Sequence, residues 1–185
     1  MGNIAERIGR PPENAVLLRP EEAKDYPAVY AVIKSAFASA AHADGNEQDL
    51  VSALRQSDAF LPEMSLVAEI DGKIVGHILF TKVDIGGSVQ LALAPLSVLP
   101  EYQRRGFGSA LIGEGHRRAQ ELGYAYSIVL GSETYYPRMG YVPAKNFGIA
   151  PPFTVADENF MACKLRVDAP AISGVVQYAK EFGIP

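Results

Sequence analysis

Between Pro95 and Ile112 the chain reads Pro-Leu-Ser-Val-Leu-Pro-Glu-Tyr-Gln-Arg-Arg-Gly-Phe-Gly-Ser-Ala-Leu-Ile, and these residue types at this spacing suit the binding of an anion. Leu96, Ser97 and Val98 close an apolar strand, Pro100 stops it, and Gly106 and Gly108 let the backbone turn tightly and approach a ligand. A helix is predicted from Phe107. Its apolar positions Phe107, Ala110, Leu111, Ala119 and Leu122 share one face, and Gly123 stands where a left-handed C-terminal cap belongs. Backbone N–H groups from about Arg104 to Ser109 would then converge in front of the helix N-terminus, helped by the helix dipole and by the full charges of Arg104 and Arg105. Two common phosphate loops do not fit: no lysine follows either glycine, as a P-loop requires, and the third small residue of the dinucleotide fingerprint is Leu111. An ordinary glycine-containing turn between strand and helix fits the same six residues.

The elements that must position this turn are legible around it. Ala15 to Arg19 reads as a first strand, and a helix opened by Pro20 carries the stripe Val29, Val32, Ile33, Ala36, Phe37 and Ala40. Residues 42–45 interrupt that pattern, and Asn46 is placed to cap a second helix with Leu50, Val51 and Leu54 inward. Ser65–Ile70 and Lys73–Thr81 form a hairpin about Asp71-Gly72. If Ile70 faces Lys73, Leu66 and Ala68 share a face with Val75, His77 and Leu79, while Glu69 joins Ile74, Ile78 and Phe80. His77 on a largely apolar face reads as a core histidine before a base. Glu69 stands either at a solvated strand end or in a functional cleft. In the strand from Val89 to Leu99, Leu91 and Leu93 are out of phase with Leu96 and Val98, with Pro95 between, which predicts a bulge near Pro95. Tyr126–Leu130 follows the helix as a parallel strand. Ile149 to Asn159 reads as a surface loop. Phe160–Val167 reads as a half-buried strand with Met161, Cys163, Leu165 and Val167 inward, which makes Cys163 a core thiol rather than a nucleophile.

The composition bounds the rest. In 185 residues, 48 % hydrophobic and 21 % charged, we expect one domain over 1–185, with residues 1–14 as an N-terminal arm and 168–185 as a C-terminal extension. The extension carries Ile172, Val175, Val176, Tyr178 and Phe182, enough to dock back or to meet a second copy in a homodimer. A net charge of -4 argues against nonspecific binding to nucleic acid or anionic membranes. A single cysteine and no apolar leader point to the cytoplasm. The three histidines and Cys163 show no ligand spacing, so no metal is expected.

The segment Gln103-Arg104-Arg105-Gly106-Phe107-Gly108 resembles the Gln/Arg-x-x-Gly-x-Gly/Ala motif of the GNAT superfamily of N-acetyltransferases, and Tyr-Tyr-Pro-Arg-Met-Gly-Tyr at 135–141 resembles the family's aromatic segment. The resemblance spans about residues 15–167, and its diagnostic motifs lie in 91–141. It implies an α/β fold with a mixed central sheet of about seven strands, a bulged and splayed strand 4, and helices on both faces. It implies acetyl-coenzyme A as co-substrate, with Gln103 to Ser109 on the pyrophosphate, Leu96, Ser97 and Val98 on the pantetheine arm, and Tyr135 beside the cofactor. It also implies Tyr136 as the general acid that protonates the departing thiolate, although Tyr135, Tyr136 and Tyr141 equally suit packing. The acceptor would be a small-molecule or peptide amine, attacked directly in a ternary complex. Two departures from the family stand out: the strand from Leu91 to Leu99 holds no acid, and Ser132 to Thr134 lacks the family's asparagine. Glu47 and Glu69 are the candidates for a base, and a water chain in their place is the other option. A non-catalytic acyl-coenzyme A sensor or assembly module is the alternative.

Overall fold

The computed structural model describes residues 15–38, 40 and 44–184. The predicted N-terminal arm lies outside these residues, as does His42. Strand β1 (Leu17–Pro20) starts two residues later than predicted, and a single 3-10 turn separates it from helix α1 (Tyr26–Phe37). Pro27 falls in the first turn of α1, where its missing N–H costs nothing. Helix α2 (Glu47–Leu54) follows. Asn46 occupies its N-cap position without a side-chain bond, and the end is tied instead by Glu47, whose Oε1 accepts the Asp44 N–H at 2.9 Å.

Strands β2 (Ser65–Ile70) and β3 (Lys73–Ile85) form the predicted hairpin, with Asp71 and Gly72 both in the left-handed region at φ 49° and 79°. Ile70 faces Lys73, but the register slips between Ala68 and Glu69, so that Ala68 faces Gly76 while Glu69 faces Ile74. Val75 is therefore the bulged residue, and the predicted faces fail beyond it. Leu66 and Ala68 share their face with Ile78 and Phe80; His77 and Leu79 lie on the other, with Val67. Glu69 keeps only Ile74 of its three predicted neighbours.

Strand β4 (Ser88–Val98) is irregular where Pro95 interrupts its phase: Ile78 faces Leu96 but Phe80 faces Leu93, so β4 spends one residue more than β3. Helix α3 (Phe107–Glu121) then leads to β5 (Tyr126–Leu130), which runs parallel to β4. The pairing covers only Leu91–Leu93 against Ser127–Val129. Beyond Leu93 the two strands part, as a splayed strand 4 requires.

After β5 come β6 (Val142–Pro143), β7 (Ile149–Ala150), β8 (Phe160–Lys164) and β9 (Gly174–Gln177). The sheet order is β1-β2-β3-β4-β5-β8-β6, a mixed sheet of seven strands to which β7 and β9 attach. The predicted loop at 149–159 thus contributes a strand. The C-terminal extension docks back: Val176 pairs with Ile85 on β3 and is fully buried. Two exposures correct the predicted patterns, since Leu122 is 46 % and Val167 100 % exposed. Cys163 is buried as expected, and burial pushes its thiol up to about 11.

Helices cover both faces. Phe107, Leu111, Ile112 and Ala119 of α3 pack on Leu66, Ile78, Phe80 and Leu93, each large side chain contributing about 1.5–3 kcal/mol by burial. On the opposite face Val29 and Ile33 of α1 and Val51 and Leu54 of α2 cover Val67 and Leu79.

Candidate functional site

The parting of β4 from β5 exposes backbone. Leu99 donates its N–H to the Val75 carbonyl at 2.9 Å, so in the alternating antiparallel pattern His77 and Ser97 form the bonded pair, while Leu96 and Val98 turn their N–H and C=O groups away from β3. Those groups face the opening that β5 has left. The outward carbonyl of Val98 accepts a bond from Gln103 Nε2 at 3.1 Å, which ties the turn to the end of β4.

The turn itself places Arg104 at φ 60° and Gly106 at φ 87°, and Gly106 forms the N-cap of α3. The first intrahelical bond runs from the Ala110 N–H to the Gly106 carbonyl. The N–H groups of Phe107, Gly108 and Ser109 therefore have no helical acceptor and point out of the helix, where the dipole favours negative charge. Among the described residues no side chain caps this end, and no acid lies in its first turn.

Leu96, Val98, Gln103, Arg104 and the Gly106–Ser109 segment line a cavity of about 600 Å³, closed on its far side by Tyr135. Nine of the predicted cofactor residues are thus brought together. Ser97 is not among the lining: its side chain is 1 % exposed and lies on the opposite face, across from His77. Arg105 is turned aside, its guanidinium over the rings of Tyr102 and Phe107 at 5.2 and 5.6 Å. Tyr102, Thr134 and Arg138 also line the cavity and were not foreseen. Arg138, whose guanidinium lies 5.0 Å from the Tyr135 ring, was within reach, since it stands in the Tyr-Tyr-Pro-Arg segment as its only cation.

Tyr136 stands behind this wall. Its ring meets Tyr135 edge-on at 5.2 Å and Tyr141 at 5.6 Å, and burial pushes its phenol well above the ordinary tyrosine value. Tyr141 is fully buried, with its hydroxyl 2.7 Å from Ser127 Oγ and 2.9 Å from His116 Nε2. Tyr141 therefore serves packing. Neither predicted carboxylate reaches the cavity lining. Glu69 Oε2 accepts two bonds from Arg19, at 2.7 and 3.0 Å, beside a separate depression it shares with Asp25. Glu47 lies at the start of α2.

A bulged β4 splayed from a parallel β5, beside an uncapped helix start, defines an acyl-coenzyme A N-acyltransferase fold. The profile of the acetyltransferase (GNAT) family matches residues 27–141, and the chain belongs to that family. It is 41 % identical over 118 residues to the uncharacterized N-acetyltransferase YjhQ of Escherichia coli K12, covering 61 % of this chain and 65 % of YjhQ. It is 29 % identical to the uncharacterized N-acetyltransferase YhbS of the same organism over 170 residues, 90 % of this chain and 98 % of YhbS. The crystal structure of E. coli YhbS in complex with CoA superposes with a TM-score of 0.84 over 93 % of this chain and 94 % of that one. A GNAT family acetyltransferase from Brucella melitensis in complex with acetyl-CoA, 32 % identical, gives 0.75 over 92 % and 99 %.

Proposed function

We propose that this chain transfers the acetyl group of acetyl-CoA to a primary amine, carried by a small molecule or a peptide, by direct attack in a ternary complex. One observation carries the reading: the outward-facing backbone of Leu96 and Val98 continues into the free N–H groups of Phe107, Gly108 and Ser109 along one cavity. A ligand with an amide-bearing arm that ends in a pyrophosphate matches that sequence of donors and acceptors. The CoA and acetyl-CoA complexes of the YhbS and Brucella proteins support it. Gln103, Arg104 and the Gly106–Ser109 turn would hold the phosphates, with Arg105 lending charge from the rim. Ser97 would contribute backbone alone.

Tyr136 would protonate the leaving thiolate. Burial keeps the phenol protonated at neutral pH, the form a general acid needs. The protein otherwise positions: holding amine and thioester together supplies much of the acceleration. We place the activity in the cytoplasm, on the strength of the unpaired thiol of Cys163.

One observation favours a non-catalytic binder of acyl-CoA instead: no acid stands on β4 from Leu91 to Val98, and none of Glu47, Glu69 and Tyr136 lines the cavity. Titration of acetyl-CoA into the protein, followed by heat and by thermal stability, tests the common part. At a hundredfold excess over Kd the fold should gain about 2.7 kcal/mol. No stabilisation removes both readings; stabilisation without thiol release on addition of amines leaves the binder.

A further inference from the structure

The arginines of the described residues divide into two groups. Arg19, Arg55, Arg117, Arg118 and Arg166 each hold a carboxylate. Among the described residues Arg104, Arg105 and Arg138 hold none, and all three stand at the cavity: Arg104 and Arg138 in its lining, Arg105 beside it over the rings of Tyr102 and Phe107. No carboxylate lines the cavity, although the chain carries a net charge of -4. The acids nearest in sequence are engaged elsewhere: Glu133 Oε2 accepts Asn159 Nδ2 at 2.8 Å, and Glu101 Oε1 lies 3.5 Å from Lys73 Nζ. Cations left without a counter-charge beside an uncapped helix start mark a place for an anion.

Arg138 is set for a particular kind of anion. It stands exposed on the 3-10 turn Tyr136–Met139, with its guanidinium 5.0 Å from the centre of the Tyr135 ring. Its Nε donates to the Tyr135 carbonyl at 3.4 Å, while Nη1 and Nη2 have no acceptor among the described residues. The planar edge that can grip two oxygens at once is therefore open. Tyr135 is itself seated on α3: a methyl group at Gly108 would overlap its hydroxyl, so the ring ends on the first turn of that helix. Ser109 Oγ, 3.9 Å from Met139 Sδ, is a second contact between the 3-10 turn and the helix start. Tyr135 thus acts as a strut, with its tip at the helix start and the guanidinium on its face.

We propose that Arg138 binds the ribose 3′-phosphate of coenzyme A and makes the protein prefer the coenzyme to its 3′-dephospho form. The proposal rests on the acetyl-transfer reading above. Coenzyme A carries a pyrophosphate and, on the ribose beyond it, a phosphate monoester. In that reading the acyl arm runs along Leu96 and Val98, and the pyrophosphate takes the N–H groups of Phe107, Gly108 and Ser109 with the charge of Arg104. These donors are then spent. The monoester lies farther from the acetyl group than the pyrophosphate does, and the cation still open in the lining is Arg138, across the helix start on the strut of Tyr135. A monoester dianion presents its terminal oxygens together, which suits two parallel N–H···O bonds from Nη1 and Nη2. Arg105 lends charge without such a fork toward the ligand, because its guanidinium lies over Tyr102 and Phe107.

Calorimetric titration of the full-length protein with coenzyme A and with 3′-dephospho-coenzyme A tests this. The wild type should bind coenzyme A about tenfold more tightly than the dephospho form, as a bidentate, charge-assisted pair allows. In Arg138→Gln the preference should shrink to within about twofold, through loss of affinity for coenzyme A alone. Arg104→Gln should weaken both ligands by the same factor and keep the preference. Equal binding of the two ligands by the wild type, or an undiminished preference in Arg138→Gln, would overturn the proposal. Equal weakening of both ligands in Arg138→Gln would overturn it too, by assigning Arg138 to the pyrophosphate, as would loss of the preference in Arg104→Gln. If Arg138→Gln does not fold, Arg138→Lys, which keeps the charge and loses the fork, must cut the preference at least about threefold, and an intact preference there overturns the proposal as well. Failure of the wild type to bind either ligand would instead remove the acetyl-transfer reading itself.

Discussion

The ring of Tyr136 lies so close over the Cα of Gly131 that a methyl group there would overlap its Cε2. Gly131 is the first residue after β5, and its N–H is fixed by the Asn159 carbonyl at 2.9 Å, so the glycine cannot retreat. The position of the phenol is therefore set by the end of β5 as much as by its own short 3-10 turn. Gly131→Ala should displace the ring, with an overpacking cost of about 1–3 kcal/mol, and should lower turnover while acetyl-CoA affinity holds. Thermal melts and steady-state kinetics on one preparation would separate the two effects, and unchanged turnover would show that the ring's position does not matter.

Tyr136→Phe removes only the hydroxyl. The packing against Tyr135 and Tyr141 is kept, so stability and cofactor affinity should change little. Turnover should fall by about a hundredfold or more, the usual worth of a positioned acid. Wild-type turnover in this variant would return Tyr136 to a packing role.

Among the described residues nothing lies within 4 Å of the position a Cβ at Gly106 would occupy, so the Cβ of Gly106→Val meets open space. What it disturbs is the backbone, at φ 87°, and the space in front of the helix start. A β-branched residue held in that conformation costs about 1–2 kcal/mol. The folded protein should survive this and bind acetyl-CoA at least tenfold more weakly, about 1.4 kcal/mol. Calorimetric titration decides it: an unchanged Kd would detach the turn from the cofactor.

Much of this site was legible from residue types alone. Gly106 and Gly108 after Gln103-Arg104-Arg105 required a turn in front of a helix, and the phase change across Pro95 required the bulge that the register displays between Ile78 and Phe80. What failed did so for local reasons. Both faces of β3 beside Val75 carry large apolar residues, Ile74 on one and Ile78 on the other, so alternation alone does not reveal the bulge. Gly76 next to it was an available signal. One extra residue there moves His77 to the opposite face. Val167 continued an alternating pattern past the last ladder bond of β8, and nothing in the pattern marks where a partner strand ends. The burial of β9 against β3 depends on a contact some ninety residues distant in sequence, which periodicity cannot report. His77 meets Ser65 of β2, whose hydroxyl meets Glu21 ahead of α1, and no spacing within one segment encodes that chain of contacts.

His77 and His116 together give the fold a pH dependence that can be worked out. Burial pushes both imidazoles down to about 4, from an ordinary value near 6.5. Both are therefore neutral in the folded protein, whereas in the unfolded chain each takes up a proton near pH 6.5. Between these values the unfolded state binds more protons, so stability is full above about pH 6.5 and falls as the pH drops toward 4. The two sites are independent of each other: His77 meets Ser65 on the α1 face, and His116 meets Tyr141 on the α3 side. Urea unfolding at pH 7.5 and at pH 5 should accordingly show a loss approaching two protons in slope. His116→Gln should remove about one of them, as should His77→Gln, and equal stability at the two pH values would mean that neither imidazole is held neutral by the fold.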